Sequence, residues 1–225
     1  MWCVAQVDGE YRERMEDVLA LYERPLDERE PVVCLDEKPV PLRAEVREPI
    51  PAAPGRVGRR DSEYERRGTA NVFCGVEPKA GRHFTRATPN RSAPEFAKEI
   101  RALVSRYPKA RKIHLVMDNL NTHGRKALTD FYGPQQGARL WSRLTPHYTP
   151  KHGSWLNQAE IEISLFSRQC LGNRRIPDLR TLRQQARAWN RRVNGAGMTI
   201  DWNFDRQAAR TLFKYDKNSI TRSWH

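Results

Sequence analysis

One short run, at residues 113–117, constrains the fold of this chain more than any other segment. Its residues, Ile-His-Leu-Val-Met, are largely apolar on both faces of an extended pleat. Such a run is typical of a strand that lies inside a sheet and is covered on both sides. Amphipathic segments with helical periodicity occur before and after it. The sequence therefore predicts an α/β fold in which helices sandwich a sheet.

Periodicity and turn residues predict the other elements. Apolar residues recur at helical spacing at residues 10–21, 92–107, 154–171 and 178–195, with Ser92, Ser154 and Asp178 as expected N-caps. Residues 71–76 and 83–88 flank a turn at residues 78–81, which is typical of a β-hairpin. Residues 48–67 are rich in Pro, Gly and Arg, and we expect a loop or a loose hairpin there.

Composition narrows the class of partner. The 225 residues carry a formal net charge of +13, which favours nucleic acid as partner, although a solvated basic surface has the same charge. No apolar run approaches the ~20 residues that span a bilayer, so we expect a cytoplasmic protein without a membrane partner. Cys3, Cys34, Cys74 and Cys170 lack the paired spacing of zinc or redox sites, and we expect reduced core thiols.

Two apolar runs each end in an aspartate, Asp36 and Asp118. If the two strands are parallel neighbours, their ends lie ~4.8 Å apart across the sheet. Ligands collect beyond the carboxyl ends of parallel strands, and hard divalent cations prefer oxygen ligands. Either aspartate alone would more often be a turn residue. Their joint placement nevertheless predicts a cation site.

A third acid would come from the helix predicted at residues 154–171. Glu160 and Glu162 both lie about 80° from the centre of its apolar stripe, on opposite sides, because each residue advances ~100° around the axis. Helical geometry alone does not choose between them. Both are equally consistent with ordinary glutamates at the boundary of the stripe.

Three blocks of the sequence resemble the catalytic blocks of DDE transposases, above all those of bacterial insertion sequences related to mariner elements. The blocks are Leu35-Asp36-Glu37, then Met117-Asp118-Asn119-Leu120-Asn121-Thr122-His123, then YTPKHGSWLNQAE from Tyr148 to Glu160. The likeness extends from about Trp2 to about Lys214. It implies an RNase-H-like fold, a mixed five-stranded sheet with helices on both faces. The implied catalytic domain spans residues 31–215, after an N-terminal helix and linker at 1–30 and before a tail at 216–225.

The resemblance also assigns roles. It makes Asp36, Asp118 and Glu160 the catalytic and metal-binding trio, and so selects Glu160 over Glu162. Asn119, His123 and Asn157 match supporting positions, and His123 would position the second acid or DNA, or simply cap the following helix. The implied cofactor is two Mg²⁺ ions, for which Mn²⁺ would substitute. The implied reaction is DNA strand cleavage and strand transfer at insertion-sequence ends.

The implied partner is double-stranded DNA, as transposon ends and as target, bound by a homodimer associated with the nucleoid. Candidate contacts are the basic side chains of Arg59, Arg60, Lys151, His152, Arg180, Arg183 and Arg187. A solvated arginine row is the alternative on the last helix. Two further alternatives for function are a truncated remnant that only binds DNA, and a nuclease acting on RNA or hybrid.

Two departures from the family pattern give further expectations. No helix-turn-helix region is evident before Asp36, so we expect that portion to be encoded separately or lost. The interval from Asp118 to Glu160 is longer than is usual in the family, which predicts an inserted loop around residues 133–143.

Overall fold

The computed structural model describes residues 7–120 and 123–216. A five-stranded sheet forms its centre, in the order β3-β2-β1-β4-β5. The strands are β1 Val32–Glu45, β2 Tyr64–Glu77, β3 Arg82–Thr88, β4 Ile113–Met117 and β5 Leu144–Tyr148. β1, β2 and β3 pair antiparallel, whereas β1, β4 and β5 pair parallel. The sheet is therefore mixed, and the apolar run at residues 113–117 is an interior strand as predicted.

Helices cover both faces of the sheet, as predicted. In the described residues they are α1 Gly9–Glu23, α2 Ala93–Arg106, α3 Arg125–Tyr132, α4 Pro134–Trp141, α5 Ala159–Phe166, α6 Leu179–Gly195 and α7 Arg206–Phe213. Buried residues of α2 and α3, with partly buried residues of α4, cover one face. Buried residues of α1, α5, α6 and α7 cover the other. The two apolar layers hold the sheet between them, because each removes one of its faces from water.

The alternation of side chains along β1 decides which groups meet which helices. Val33 and Leu35 are buried with α2 and α3, whereas Cys34 is buried with α1 and α5. Successive side chains of a strand point to opposite faces. Asp36 therefore lies on the face covered by α5, and Glu37 on the face covered by α2.

The prediction that Asp36 ends its strand is wrong, because β1 continues to Glu45. This continuation contains Pro39 and Pro41. Proline is tolerated here because β1 beyond Cys34 pairs with β2 alone, so its second edge needs no backbone N–H donors. The parallel ladder with β4, by contrast, ends at Cys34 and Val116. Asp36 thus lies just past the parallel ladder rather than past the strand.

The helix predicted at residues 154–171 is interrupted, and Ser154 does not cap it. A 3₁₀ turn occupies Ser154–Leu156, α5 begins at Ala159, and a π-helical turn follows at Ser167–Leu171. The break occurs at Asn157, whose backbone is extended with φ −80° and ψ 108°. Its side-chain Oδ1 instead accepts a hydrogen bond from Ala159 N at 3.2 Å. A local side-chain bond of this kind competes with helix continuation.

Two predicted irregular segments contain regular structure. Residues 133–143 are not a loop, because α4 occupies Pro134–Trp141 and packs beside α3, and the expected insertion stays a prediction. Of residues 48–67, the last four belong to β2. The rest form the loose hairpin that was one of the two expectations, with bridges from Ile50 to Arg59 and from Ala53 to Arg56.

The predicted hairpin at residues 71–88 is confirmed, with Val76 opposite His83. Gly81 in its turn has φ +61°, and a Cβ there would lie 2.7 Å from Met198 O. The turn therefore requires glycine both for its backbone conformation and for its close approach to the segment after α6.

Helix α1 shares its core with the sheet: Met15, Val18 and Leu19 are fully buried beside Cys34. The division at residues 30/31 and the tail at 216–225 stay predictions. Cys34, Cys74 and Cys170 are buried free thiols, as predicted, and Cys3 lies outside the described residues. Within the described ranges, no helix combines the length and apolarity required to cross a bilayer.

Candidate active site

The strand register brings Asp36 and Asp118 to neighbouring positions. The last parallel pair is Cys34 with Val116, and each aspartate lies two residues further along its strand. Burial raises the pKa of Asp36 to about 7; the hydrogen bond from Glu37 N–H opposes this shift, and the charges of Glu160 and Asp118 add to it. The Asp36 carboxylate therefore lies within electrostatic range of both other members of the predicted trio.

Asn157 fastens the start of α5 to β1 beside Asp36. Its Nδ2 donates to Leu35 O at 3.0 Å and lies 3.5 Å from Asp36 Oδ2. The side chain is buried, so these bonds are shielded from water. The interruption of the predicted helix thus has a use: it frees the Asn157 side chain to fix α5 against the strand that carries Asp36.

The structure separates Glu160 from Glu162, which helical geometry had left equivalent. Glu160 is exposed on the first turn of α5, on the side of Asp36. Glu162 is fully buried, and its Oε2 lies 2.7 Å from His83 Nδ1. The other ring nitrogen, Nε2, donates to Met198 O at 2.8 Å. Burial raises the pKa of Glu162 despite the opposing bond from His83. Glu162 therefore ties α5 to β3 and to the segment after α6.

His123 bridges Asp118 to a glutamate that the sequence analysis did not select. Its Nδ1 lies 2.7 Å from Asp118 Oδ1, and its Nε2 lies 2.5 Å from Glu37 Oε1. Phe96 of α2 stacks on the ring, with 4.6 Å between centroids. Burial by itself lowers the pKa of His123, but the bonds to Asp118 and Glu37 outweigh it and raise the pKa to about 9. The imidazolium then donates to both carboxylates.

A groove of about 830 Å³ opens at Asp118. Its lining brings together predicted site residues from two different loops, Asp118 and Asn119 from one and Lys151 and His152 from the other. Arg14 of α1 also lines it. The groove therefore combines one acid of the trio with basic side chains that suit a phosphate backbone.

The other predicted DNA contacts lie elsewhere. Arg59 is exposed on the loose hairpin, but Arg60 is bound by Glu45 at 2.7 Å and by Asn173 O. Arg180, Arg183 and Arg187 line a separate groove on α6, together with Gln184 and Arg191. Of the predicted basic side chains, only Lys151 and His152 share the groove of Asp118.

The donor set suits a hard divalent cation, because Asp36, Asp118 and Glu160 offer only carboxylate oxygens. In the described ranges no group of three or more His, Cys, Asp or Glu side chains is arranged so that it could hold a metal ion. Like-charged carboxylates repel one another, which opposes such an arrangement. The three acids fit the role of cation ligands by chemistry and by neighbourhood, since Asp36 feels the charge of both others.

A family model of the DDE superfamily endonucleases matches residues 31–183, more than half of the chain. The chain belongs to this superfamily. No curated protein matches this chain by sequence. The match spans all three predicted blocks, from Asp36 through Glu160.

Solved structures share the fold of this DDE superfamily member. The Mos1 mariner paired end complex with Mn aligns over 100% of this chain and 67% of that chain, with a TM-score of 0.56 and 14% identity. The Mos1 strand transfer complex aligns over 98% of this chain and 63% of that chain, with a TM-score of 0.54 and 14% identity. The predicted RNase-H-like architecture is therefore confirmed, and the chain spans about two thirds of the Mos1 chains.

Sequence reasoning missed Glu37, although this residue stands next to Asp36 in the first block. The available signal was alternation along a strand: adjacent acids on one strand point to opposite faces. Glu37 could not belong to the same carboxylate group as Asp36, so it required a partner of its own on the α2 face. The position of His123 beneath Phe96 depends on tertiary packing, which no local pattern encodes.

Proposed function

We propose that this chain is the catalytic domain of a DDE transposase that cleaves DNA strands and joins them at the ends of a mobile element. The observation that carries the proposal is the neighbourhood of Asp36, Asp118 and Glu160, three acids from β1, the end of β4 and the start of α5. Membership of the DDE superfamily endonucleases supports it. The shared fold with Mos1 complexes named for paired ends and strand transfer supports it further.

In this proposal Asp36, Asp118 and Glu160 hold two Mg²⁺ ions, or Mn²⁺ in their place. Bound to these acids, such ions would supply a nucleophile and stabilise the leaving oxygen in phosphoryl transfer. Asn157 orients Asp36 from the break that precedes α5, and His123 orients Asp118. Asn119, Lys151 and His152 line the groove that begins at Asp118, where they would hold the phosphate backbone of the substrate.

We propose a second DNA contact on α6. Arg180, Arg183 and Arg187 lie exposed on one side of this helix. Arg206 on α7 is neutralised by Glu23, whereas Arg187 has no ion-pair partner within the described residues. The helix beneath is firmly held, since Arg183 Nε donates to Ala87 O and Asn190 Nδ2 to Thr85 O. An exposed arginine row on a fixed helix suits a duplex backbone. Arg59 on the loose hairpin is a weaker candidate, and Arg60 already pairs with Glu45.

The assembly around this domain is also part of the proposal. Residues 31–215 would form the catalytic unit of a homodimer on DNA, in an element of the bacterial insertion-sequence type, with end recognition by a helix-turn-helix portion encoded separately. Nucleoid association would follow from the affinity of the basic surface for DNA.

The test is strand cleavage and joining of a duplex element end by the purified chain in Mg²⁺ or Mn²⁺, beside its Asp36→Ala and Asp118→Ala variants. We expect metal-dependent products from the native chain and none from either variant, with circular dichroism unchanged. Retained cleavage in either variant would contradict the site. DNA binding without any cleavage by the native chain would favour the inactive remnant, and cleavage confined to RNA or hybrid would favour the nuclease alternative.

A further inference from the structure

The buried contact between His123 and Glu37 lies outside the trio, yet it ends on one of the trio's acids. The side chains of His123 and Glu37 are 3% and 4% exposed, whereas that of Asp118 is 35% exposed. His123 Nδ1 lies 2.7 Å from Asp118 Oδ1, and Nε2 lies 2.5 Å from Glu37 Oε1. The chain of contacts thus runs from a sealed carboxylate through an imidazole to a carboxylate that faces the groove.

The geometry leaves His123 little freedom. Both ring nitrogens have partners, so rotation of the ring would break two hydrogen bonds at once. Phe96 stacks on the ring at 4.6 Å with 21° between the planes, which restrains tilting. The backbone is fixed as well, because His123 N donates to Leu120 O at 2.9 Å. Asp118 Oδ1 is therefore held in place, whereas Asp118 Oδ2 accepts no hydrogen bond from the part of the chain that the structure describes.

Glu37 is the fixed end of this arrangement. It belongs to β1, which pairs with β2 on one side, and Glu37 lies opposite Phe73 in that ladder. Its backbone N–H donates to Asp36 Oδ1 at 2.7 Å. One residue therefore contacts the first aspartate through its backbone and the second through its side chain and His123.

We propose that Glu37 is a positioning residue: through His123 it fixes the Asp118 carboxylate so that one oxygen remains available to a divalent cation. This inference rests on the proposed function, since it takes Asp118 to be a metal ligand. Hydrogen-bonded partners behind metal ligands commonly change metal affinity by about 10–100-fold when they are removed. Glu37 itself is sealed beneath His123 and does not coordinate the ion.

The experiment measures Mn²⁺ affinity without DNA, by electron paramagnetic resonance of free Mn²⁺, for purified variants of the full chain. Glu37→Met removes the acceptor at similar size, and we expect its Mn²⁺ affinity to fall about tenfold. Glu37→Gln keeps an amide that still bonds His123, and we expect an affinity within about twofold of native. Glu162→Met is the matched control. Glu162 is also a buried glutamate bonded to a histidine, but that histidine, His83, contacts Met198 O instead of the site. We expect native Mn²⁺ affinity in this variant.

Native affinity in Glu37→Met would overturn the proposal. Equal loss in Glu37→Gln and Glu37→Met would also overturn it, because the charge of Glu37 rather than its bond to His123 would then matter. If Glu37→Met does not fold, His123→Phe decides: it keeps the stack on Phe96 and removes both bonds, so native Mn²⁺ affinity there contradicts the proposal. Asp118→Asn distinguishes failure of the Glu37 proposal from failure of the proposed function. Unchanged Mn²⁺ binding in that variant refutes the proposed function itself.

Discussion

Two buried histidine–glutamate pairs lie on opposite sides of the central sheet, and they differ in the partner of the second ring nitrogen. His123 bonds Glu37 at 2.5 Å and His83 bonds Glu162 at 2.7 Å, with both glutamates almost fully sealed. The second ring nitrogen of His123 contacts the partly exposed Asp118, whereas that of His83 contacts the carbonyl oxygen of Met198. The same pair of residue types therefore borders the groove of Asp118 in one place and joins three packed segments in the other.

The comparison shows that burial and pairing alone do not identify a functional acid. Glu162 is the more deeply buried of the two candidate glutamates on α5, and burial raises its pKa. Perturbed acids are often taken as site markers. Its partner, however, leads away from Asp36, whereas the exposed Glu160 acts electrostatically on Asp36. The partners of a buried acid therefore indicate its role better than its burial does.

The largest expected effect separates the two glutamates of α5. Glu160→Gln should lower metal-dependent strand cleavage by roughly 10³-fold, because the removed interaction with a catalytic cation amounts to several kcal/mol. Glu162→Gln should change cleavage by less than about threefold, since the Gln amide still bonds His83 Nδ1 while Nε2 keeps its bond to Met198 O. The measurement is Mn²⁺-supported cleavage and joining by both purified variants, with circular dichroism as the folding control.

An inactive Glu162→Gln protein beside an active Glu160→Gln protein would reverse the assignment. Equal activity in both variants would mean that α5 supplies no metal ligand. Glu160 and Glu162 would then not differ in function.

Much of this architecture was predictable because it depends on local periodicity. The strand at residues 113–117, the hairpin around Gly81 and the buried stripe of α2 follow from alternation, turn chemistry and helical spacing. Elements with weak local signals were missed: β5 contains a proline, and α4 begins at Pro134 within a segment taken for a loop. The length of β1 was missed because its prolines are tolerated only through its particular pairing.

The candidate site was predictable to a different degree. Asp36 and Asp118 were predicted from the apolar runs that end in them, and block resemblance selected Glu160; Asp36 feels the charge of both other acids. The choice between Glu160 and Glu162 was beyond helix geometry, because it depends on the break at Asn157 and on His83 from another strand. The link from His123 to Glu37 joins residues 86 positions apart. Contacts of that range are set by tertiary packing and have no local signature.

The second effect concerns stability on the structural side of the comparison. His83→Leu leaves the Glu162 carboxyl buried without its partner, and we expect the free energy of unfolding to fall by about 3 kcal/mol at pH 8. The loss should shrink toward pH 5, because burial raises the pKa of Glu162 and the protonated acid tolerates burial better. Urea denaturation of the variant at both pH values measures this.

The double variant His83→Leu with Glu162→Met is the control, since replacing both partners by apolar side chains is often close to neutral. It should regain most of the lost stability. If His83→Leu alone is as stable as the native protein at pH 8, the pair does not hold α5, and its contrast with the His123 pair fails.

The smallest expected effect concerns Asp36, the acid that receives its hydrogen bond from Glu37 N–H rather than from a histidine. Its pKa is raised from 3.8 to about 7, chiefly by burial. A folded-state pKa above the unfolded value means that the protonated acid favours folding, so this contribution is complete below about pH 4 and is lost as pH rises through about 7. Asp36→Asn removes the titration, and we expect it to be more stable than the native chain at pH 8 by about 1 kcal/mol, with the advantage vanishing toward pH 4.

Thermal unfolding from pH 4 to 8 measures the difference, and adding Mn²⁺ at pH 8 should raise the Tm of the native chain and leave Asp36→Asn nearly unchanged. A variant less stable than native across this range would show that Asp36 is stabilised by its surroundings and is not a strained member of a cation site.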